Sequence, residues 1–208
     1  MTIPPWLCIV LLPLLTIAGE PTPSISPSVS LAWPADLPPR TKAMLEFGLK
    51  SFTAHPQVPY KTGSATLTEG MDCSGAMVFL LAHLNVTPPR SSSAMHDWLS
   101  KRKNFTVVPA DARNADHPIY QKLQPGDLIF WAPDLPAVSP APKASHVHMF
   151  LGRESRDKHP VMIGSSDGRS YRGQKRSGFG IVDFKVPAPG SKTRIIGFGP
   201  ASEVAGSK

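Results

Sequence analysis

Apolar residues in the first half of the chain recur at helical spacing. In residues 40–53 they stand at Ala43, Met44 and Phe47, and His55-Pro56 ends the pattern. An almost uninterrupted apolar run follows Cys73 as far as about Leu84. A turn of prolines and serines then precedes residues 94–101, where Met95 and Trp98 would face inward. Three helices are therefore predicted in this half.

From Leu123 onward the pattern is typical of strands. Short apolar runs alternate with turns such as Gln124-Pro125-Gly126-Asp127, and a proline-rich loop covers residues 132–144. Strands are predicted at residues 128–131, 146–152, 161–165, 180–186 and 194–198. Helices followed by strands indicate an α+β fold, with N-terminal helices packed on a small antiparallel sheet.

The N-terminus predicts export. Residues 6–17 are apolar apart from Thr16 and give way to Ala18-Gly19, as in a secretory signal that is removed at about residue 19. An uncleaved anchor is the alternative, although a spanning helix needs about 20 apolar residues. Residues 20–39, rich in Pro and Ser, predict a linker, residues 40–200 one domain and residues 201–208 a tail. A secreted or periplasmic location is expected, with membrane contact only through an uncleaved signal.

The formal net charge of +7 favours anionic partners such as bacterial wall polymers. Nucleic acid is not expected as a partner, because basic residues form no long run and aromatic residues do not alternate with them. Residues 169–176 carry four basic side chains among glycines and polar residues. They predict a solvated loop, with contact to anionic wall material as the alternative.

Cys73 is the only cysteine that remains if the signal is removed, because Cys8 lies within it. It stands where the second helix begins. Unpaired N–H groups at a helix N-terminus favour thiolate over thiol, and a free cysteine in a secreted chain indicates a reactive thiol. The alternative is a cysteine that packs as a small apolar residue.

A cysteine nucleophile needs a base, and His146 is the candidate. It opens the strand after the proline-rich loop, where it could face the Cys73 helix, and His148 points to the same side. The other five histidines lie beside prolines in loops or within helical segments. A surface or structural role is predicted for each of those five.

The order of these motifs resembles the NlpC/P60 cysteine peptidases, which hydrolyse peptide bonds in bacterial peptidoglycan. The resemblance covers about residues 58–197. It rests on five motifs: Pro59-Tyr60, Met71-Asp72-Cys73-Ser74-Gly75, Pro89-Arg90-Ser91-Ser92, Pro125-Gly126-Asp127-Leu128-Ile129-Phe130, and Ser145-His146-Val147 with Phe150-Leu151-Gly152. The fold it implies is papain-like.

By this resemblance Cys73 is the nucleophile, His146 the base, and Tyr60 the residue beside the nucleophile that holds substrate or oxyanion. Asp72 and Ser74, with Ser93, would hold the free amine of the stem peptide, since a carboxylate facing an ammonium is a charge-assisted contact. Asp72 is also a candidate helix cap.

The chain departs from the family at the third polar residue, which orients the imidazole. Gly164 stands at that position and has no side chain. Ser166 is the predicted third member, and Asp167, His148 or a dyad without a third member are the alternatives. An inactive binding domain is the remaining possibility.

Two rival hydrolase types are disfavoured. Residues 164–168 match G-x-S-x-G, but no histidine follows His159 to complete a serine triad. His146 and His148 lack a third zinc ligand in any recognisable motif, so no metal and no cofactor are expected.

The predicted function is therefore a secreted cysteine hydrolase of stem or cross-link peptides, acting on the D-Glu to diamino-acid bond. The alternatives are an amidase or acyltransferase on the same fold and a noncatalytic wall-binding protein. The expected partner is peptidoglycan or its fragments, and the expected state is a monomer.

Overall fold

Three helices and five long strands follow one another in the order that the sequence predicts, and a short strand that was not predicted joins the edge of the main sheet. The computed structural model describes residues 29–135 and 143–202. The helices are α1 (Pro39–Ala54), α2 (Cys73–Ala82) and α3 (Ser92–Ser100), with a short 3-10 helix at Pro118–Lys122. The strands are β1 (Ala65–Thr66), β2 (Gly70–Met71), β3 (Thr106–Val107), β4 (Asp127–Pro133), β5 (His146–Arg153), β6 (Pro160–Tyr171), β7 (Gln174–Asp183) and β8 (Thr193–Pro200).

The main sheet is antiparallel and has six strands in the order β3-β8-β4-β5-β6-β7. Because side chains alternate between the faces of a strand, each of the strands β4 to β8 contributes to two apolar clusters. Val147 and Met149 pack on the helical side together with α1 and α2. Ile129 and Phe150 belong to the cluster on the opposite face. The α+β architecture agrees with the prediction.

The hairpin of β6 and β7 is longer than the sequence predicts. Residues 169–176, expected to form a loop, continue both strands and meet at Arg172 and Gly173, which both have positive φ (49° and 81°). Two such residues form the tight turn whose twist matches a hairpin. Pairing between the strands overrides the polar, glycine-rich composition of this segment.

Part of the predicted linker packs on the domain. The N–H of Ala32 donates to the carbonyl of Arg153 (2.9 Å), and the indole N–H of Trp33 donates to the carbonyl of Leu151 (2.7 Å). At the other end, the buried Ser202 hydroxyl bonds Thr41 of α1 (2.7 Å), so the predicted tail begins inside the fold.

Other predictions fall outside the described residues. They concern the signal at residues 1–19, the linker up to residue 28, residues 136–142 of the proline-rich loop, and the tail from residue 203. Within residues 29–135 and 143–202, no helix is both long and apolar enough to cross a membrane.

Candidate active site

The chain enters α2 through a cap that places Cys73 in the first turn. The carboxylate of Asp72 accepts hydrogen bonds from the N–H groups of Gly75 (2.7 Å) and Gly63 (2.7 Å). The aspartate thus satisfies a free donor at the helix start and ties it to the preceding loop. Cys73 is held on a rigid element rather than on a loop.

Arg90 completes the surroundings of Asp72. Its guanidinium donates to both carboxylate oxygens (2.8 and 3.0 Å), to the Ser74 hydroxyl (2.6 Å) and to the carbonyl of Ser64 (2.9 Å). The Ser74 hydroxyl also donates to Asp72 (3.1 Å). With both backbone N–H donors, these contacts use the acceptor capacity of the carboxylate. A substrate ammonium at Asp72 would have to displace Arg90.

Ser93, the remaining residue predicted to hold the amine, lies in the first turn of α3 and is half-buried. It is not among the hydrogen-bond partners of Asp72 or Ser74. The amine-binding role of Asp72, Ser74 and Ser93 stays a prediction, while the structure gives Asp72 a capping role.

The Cys73 thiol is buried where α2 meets the start of β5. The backbone N–H of Val147 lies within hydrogen-bond reach of the sulphur, so Cys73 and His146 are at the same end of the sheet. Burial raises the pKa of the thiol, the Val147 N–H and those of the helix start lower it, and the Asp72 carboxylate raises it. The net pKa is raised, opposite to the direction that the helix position alone predicts, because desolvation is the larger effect.

Tyr60 is fixed beside the nucleophile by its backbone. The neighbouring Lys61 and Pro59 both bond Met71 (3.1 and 3.0 Å), which precedes the Asp72 cap. Burial raises the pKa of Tyr60, and the charges of Cys73, Asp72 and Asp167 raise it further. The phenol therefore stays protonated and is a hydrogen-bond donor close to Cys73.

His146 and His148 share one face of β5, with ring centroids 4.6 Å apart, and both rings contact Trp131. This is the face turned away from α2, because Val147 and Met149 point toward the helix. The expectation that His146 faces the Cys73 helix is therefore wrong, and the contact of β5 with Cys73 is made by the Val147 N–H. Burial lowers the pKa of His146 to about 3, assisted by the charge of Arg169. No hydrogen bond joins the imidazole to the thiol in the free protein. Catalytic contacts often tighten only when substrate binds.

Gly164 stands where the family has its third polar residue, and the His148 ring of the neighbouring strand lies against it. A side chain on Gly164 would meet His148 at 2.6 Å, so the histidine fills the space that the glycine leaves. The Ser166 hydroxyl is buried and has no hydrogen-bond partner among the described residues. Ser166 and His146 line the same pocket, yet neither Ser166, Asp167 nor His148 bonds the imidazole.

An open pocket of about 300 Å³ lies beside His146. It is lined by Tyr60, Trp131, His146, Ser166, Asp167, Arg169 and Thr193. A larger cavity of about 400 Å³ lies between the segment before α1 and residues 122–127, and it has no histidine in its lining. Cys73 lines neither of the two. The chemistry of the side chains therefore favours the smaller pocket.

Sequence reasoning did not assign Arg169, Trp131 or Thr193 to this site. Arg169 comes to the pocket only because β6 extends past Ser165, and its guanidinium carbon lies 4.6 Å from the centre of the Trp131 ring. Recognising the Arg172-Gly173 pair as a hairpin turn would have indicated the longer strand.

The described residues contain no group of three or more His, Cys, Asp or Glu side chains arranged to hold a metal ion. Among these residues, His146 and His148 therefore have no third side chain with which to hold a metal ion.

A family model covers most of this arrangement. The model of the NlpC/P60 family matches residues 57–176, which include Tyr60, Cys73, His146 and Ser166. The chain belongs to the NlpC/P60 family. No curated protein matches it. Family membership supports a cell-wall peptidase-like function, and NlpC/P60 proteins are usually cysteine peptidases.

Two solved NlpC/P60 structures are similar to the chain. A protein similar to a lipoprotein from Staphylococcus aureus subsp. aureus Mu50 shares 17% identity, with a TM-score of 0.39, over 73% of this chain and 38% of its own. A family protein from Bacillus cereus ATCC 10987 shares 22% identity, with a TM-score of 0.47, over 81% of this chain and 40% of its own. This chain thus matches less than half the length of each.

Proposed function

We propose that the protein is a cysteine peptidase that cleaves peptide bonds in peptidoglycan stem or cross-link peptides. The observation that carries the proposal is the position of Cys73. It stands in the capped first turn of α2, beside Tyr60 and against the backbone of Val147. Val147 is the next residue in sequence after His146. The usual target of the family, the D-Glu to diamino-acid bond, is the proposed scissile bond.

The pKa directions favour a neutral resting pair rather than a preformed ion pair, because the thiol pKa is raised and the imidazole pKa is lowered. As the sulphur attacks the amide carbon, its proton passes to His146 and a C–S bond forms. N–H groups at the start of α2 and the Tyr60 hydroxyl stabilise the oxyanion. The imidazolium then protonates the leaving amine as the C–N bond breaks.

Water completes the reaction. It attacks the thioester carbonyl and gives a proton to His146, and the carboxylic acid product leaves as the thiol is restored. The proposal places this reaction outside the cytoplasm, with residues 1–19 as the export signal, and needs no metal or cofactor.

Digestion of purified peptidoglycan tests the function directly. The full chain is expected to release new muropeptides, identified by mass spectrometry, and Cys73→Ala and His146→Ala to reduce the initial rate by at least roughly 10³-fold. His55→Ala is the matched control, because His55 is exposed in the loop after α1. Circular dichroism of each variant confirms that it is folded.

A noncatalytic wall-binding protein is the second candidate. The glycine at position 164 and the unbonded His146 favour it, together with the net charge of +7. It predicts that no wall preparation is digested and that Cys73→Ala binds sedimented peptidoglycan as well as the unmodified chain does. Release of muropeptides by the unmodified chain alone would exclude it.

A further inference from the structure

Arg169 carries a positive charge in the wall of the pocket with no acidic partner. Among the described residues, no carboxylate lies within 4.0 Å of its guanidinium. Arg90, Arg113 and Arg172 are each paired with a carboxylate. Arg169 is nevertheless sufficiently buried that desolvation lowers its pKa. A partly desolvated charge without a counter-charge is unfavourable, and a ligand carboxylate at this point would remove that cost.

The surroundings orient the group for such a ligand. The guanidinium carbon lies over the Trp131 ring, 4.6 Å from its centre, and this cation–π contact restricts where the guanidinium can lie. A guanidinium can bind a carboxylate through two parallel hydrogen bonds. Asp167 also lines the pocket, but its charge acts on Tyr60 and it is not paired with Arg169.

We propose that Arg169 binds a free carboxylate of the substrate and makes the enzyme select peptides that carry one beside the scissile bond. This inference rests on the proposed function. A glutamyl residue that is linked through one of its carboxyl groups keeps the other free, and the residue that supplies the leaving amine has a carboxyl group of its own. Either source presents the same chemistry to Arg169.

The effect of Arg169 on the base agrees with this role. Its charge contributes to the lowered pKa of His146. A bound carboxylate would offset that charge, so His146 would accept the thiol proton more readily once an acidic peptide occupies the pocket. A peptide with a carboxamide at the same place would leave the pKa of His146 as low as it is in the free protein.

Binding separates this inference from the reaction itself. The Cys73→Ala chain is titrated calorimetrically with synthetic L-Ala-D-Glu-diamino-acid peptides. Each is paired with an analogue in which either the free glutamyl carboxylate or the leaving residue's carboxylate is a carboxamide. At one of the two positions, the peptide with the carboxylate is expected to bind about 10-fold tighter than its carboxamide analogue. The position that shows the preference identifies the source of the carboxylate.

Variants at Arg169 are then compared in the same background. Arg169→Gln is expected to bind carboxylate and carboxamide peptides equally, and Arg169→Lys to keep a reduced preference because it has charge without a fork. Arg102→Gln is the matched control, since Arg102 stacks on Trp98 outside the pocket, at 5.2 Å from the ring centre. Thermal unfolding establishes that each variant is folded.

Three results overturn the inference: equal binding of both peptides to the chain with Arg169, a preference that survives in Arg169→Gln, or no binding of any of these peptides. An Arg169-dependent preference without hydrolysis by the unmodified chain would support carboxylate recognition and overturn the proposed peptidase function. The two proposals therefore fail separately.

Discussion

His148 is fully buried, and neither ring nitrogen has a hydrogen-bond partner among the described residues. Its ring lies directly over the backbone of Gly164 on the next strand. Burial holds its pKa well below the ordinary value, and the nearby His146 and Arg169 lower it further. A neutral ring therefore supports His146 by packing, at a ring distance of 4.6 Å, and not through a charge.

This packing predicts a non-additive pair of substitutions. Gly164→Ala is expected to lower the free energy of unfolding by about 1–3 kcal/mol, because the new methyl group meets the His148 ring. In the His148→Ala background, where that ring is absent, the same substitution should cost much less. Urea unfolding of the four chains measures the coupling. An equal cost of Gly164→Ala in both backgrounds would contradict the packing argument.

At the scale of elements, the start of α2 is tied to two other segments by Arg90, which precedes α3. The arginine bonds Asp72, Ser74 and the carbonyl of Ser64. Burial alone would raise the pKa of Asp72, but the hydrogen bonds from Arg90, Gly75 and Gly63 outweigh it and the pKa is lowered. The loop before β1, the nucleophile helix and the entry to α3 thus share one charge-assisted cluster.

Arg90→Gln is expected to lower the free energy of unfolding by about 1–2 kcal/mol at pH 7, a figure reduced for the partial exposure of Arg90. The pKa of Asp72 is depressed in the folded state, so its contribution is present above the unfolded pKa of about 3.9 and is lost as the pH falls through the folded pKa. The difference between the two chains should therefore shrink from pH 7 to pH 3, as measured by urea unfolding.

Lys61→Gln provides the control for the ion pair of Arg90 and Asp72. Lys61 and Glu69 form an ion pair at 3.0 Å whose side chains are 51% and 62% exposed. Its loss should change the free energy of unfolding by no more than about 0.5 kcal/mol at either pH. A pH-independent cost of Arg90→Gln would show that the arginine acts through packing alone.

At the scale of the whole molecule, residues 30–33, which precede α1, are bonded to residues 151–155 at the end of β5. Leu31 forms a bridge with Glu154, and the Ser155 N–H bonds the carbonyl of Ser30 (2.8 Å). Glu154 in turn accepts from the Tyr171 hydroxyl (2.9 Å) and from Arg172 (2.5 Å). This segment is therefore part of the folded domain.

Substitutions of Trp33 test that assignment. Trp33→Phe, which removes the bond to Leu151 but keeps a ring, should lower the free energy of unfolding by about 1 kcal/mol. Trp33→Ala should lower it by about 2–4 kcal/mol, because the ring also packs on Gly152. Peptide cleavage at 25 °C should be unchanged in both, since Trp33 is not among the pocket residues. Unchanged chemical denaturation of Trp33→Ala would contradict the assignment.

Local patterns were sufficient to predict the three helices, the five long strands and the start of the nucleophile helix. Asp72 caps α2 within four residues of chain, and apolar runs place β4 and β5 within a few residues of their observed bounds. Such features depend on neighbours in sequence, so the sequence predicts them. The length of β6 and β7 was missed because strand pairing, which is not local, extends them through polar residues.

The sequence by itself determined the α+β order, the capped Cys73 and the shared face of His146 and His148. Only the tertiary structure decided that Arg90 donates to the Asp72 carboxylate, that His148 fills the space at Gly164, and that Arg169 lines the pocket. It also decided that desolvation raises the pKa of Cys73. The physical reason is that contacts across strands and burial depend on register and packing between residues far apart in the chain, which local residue patterns do not encode.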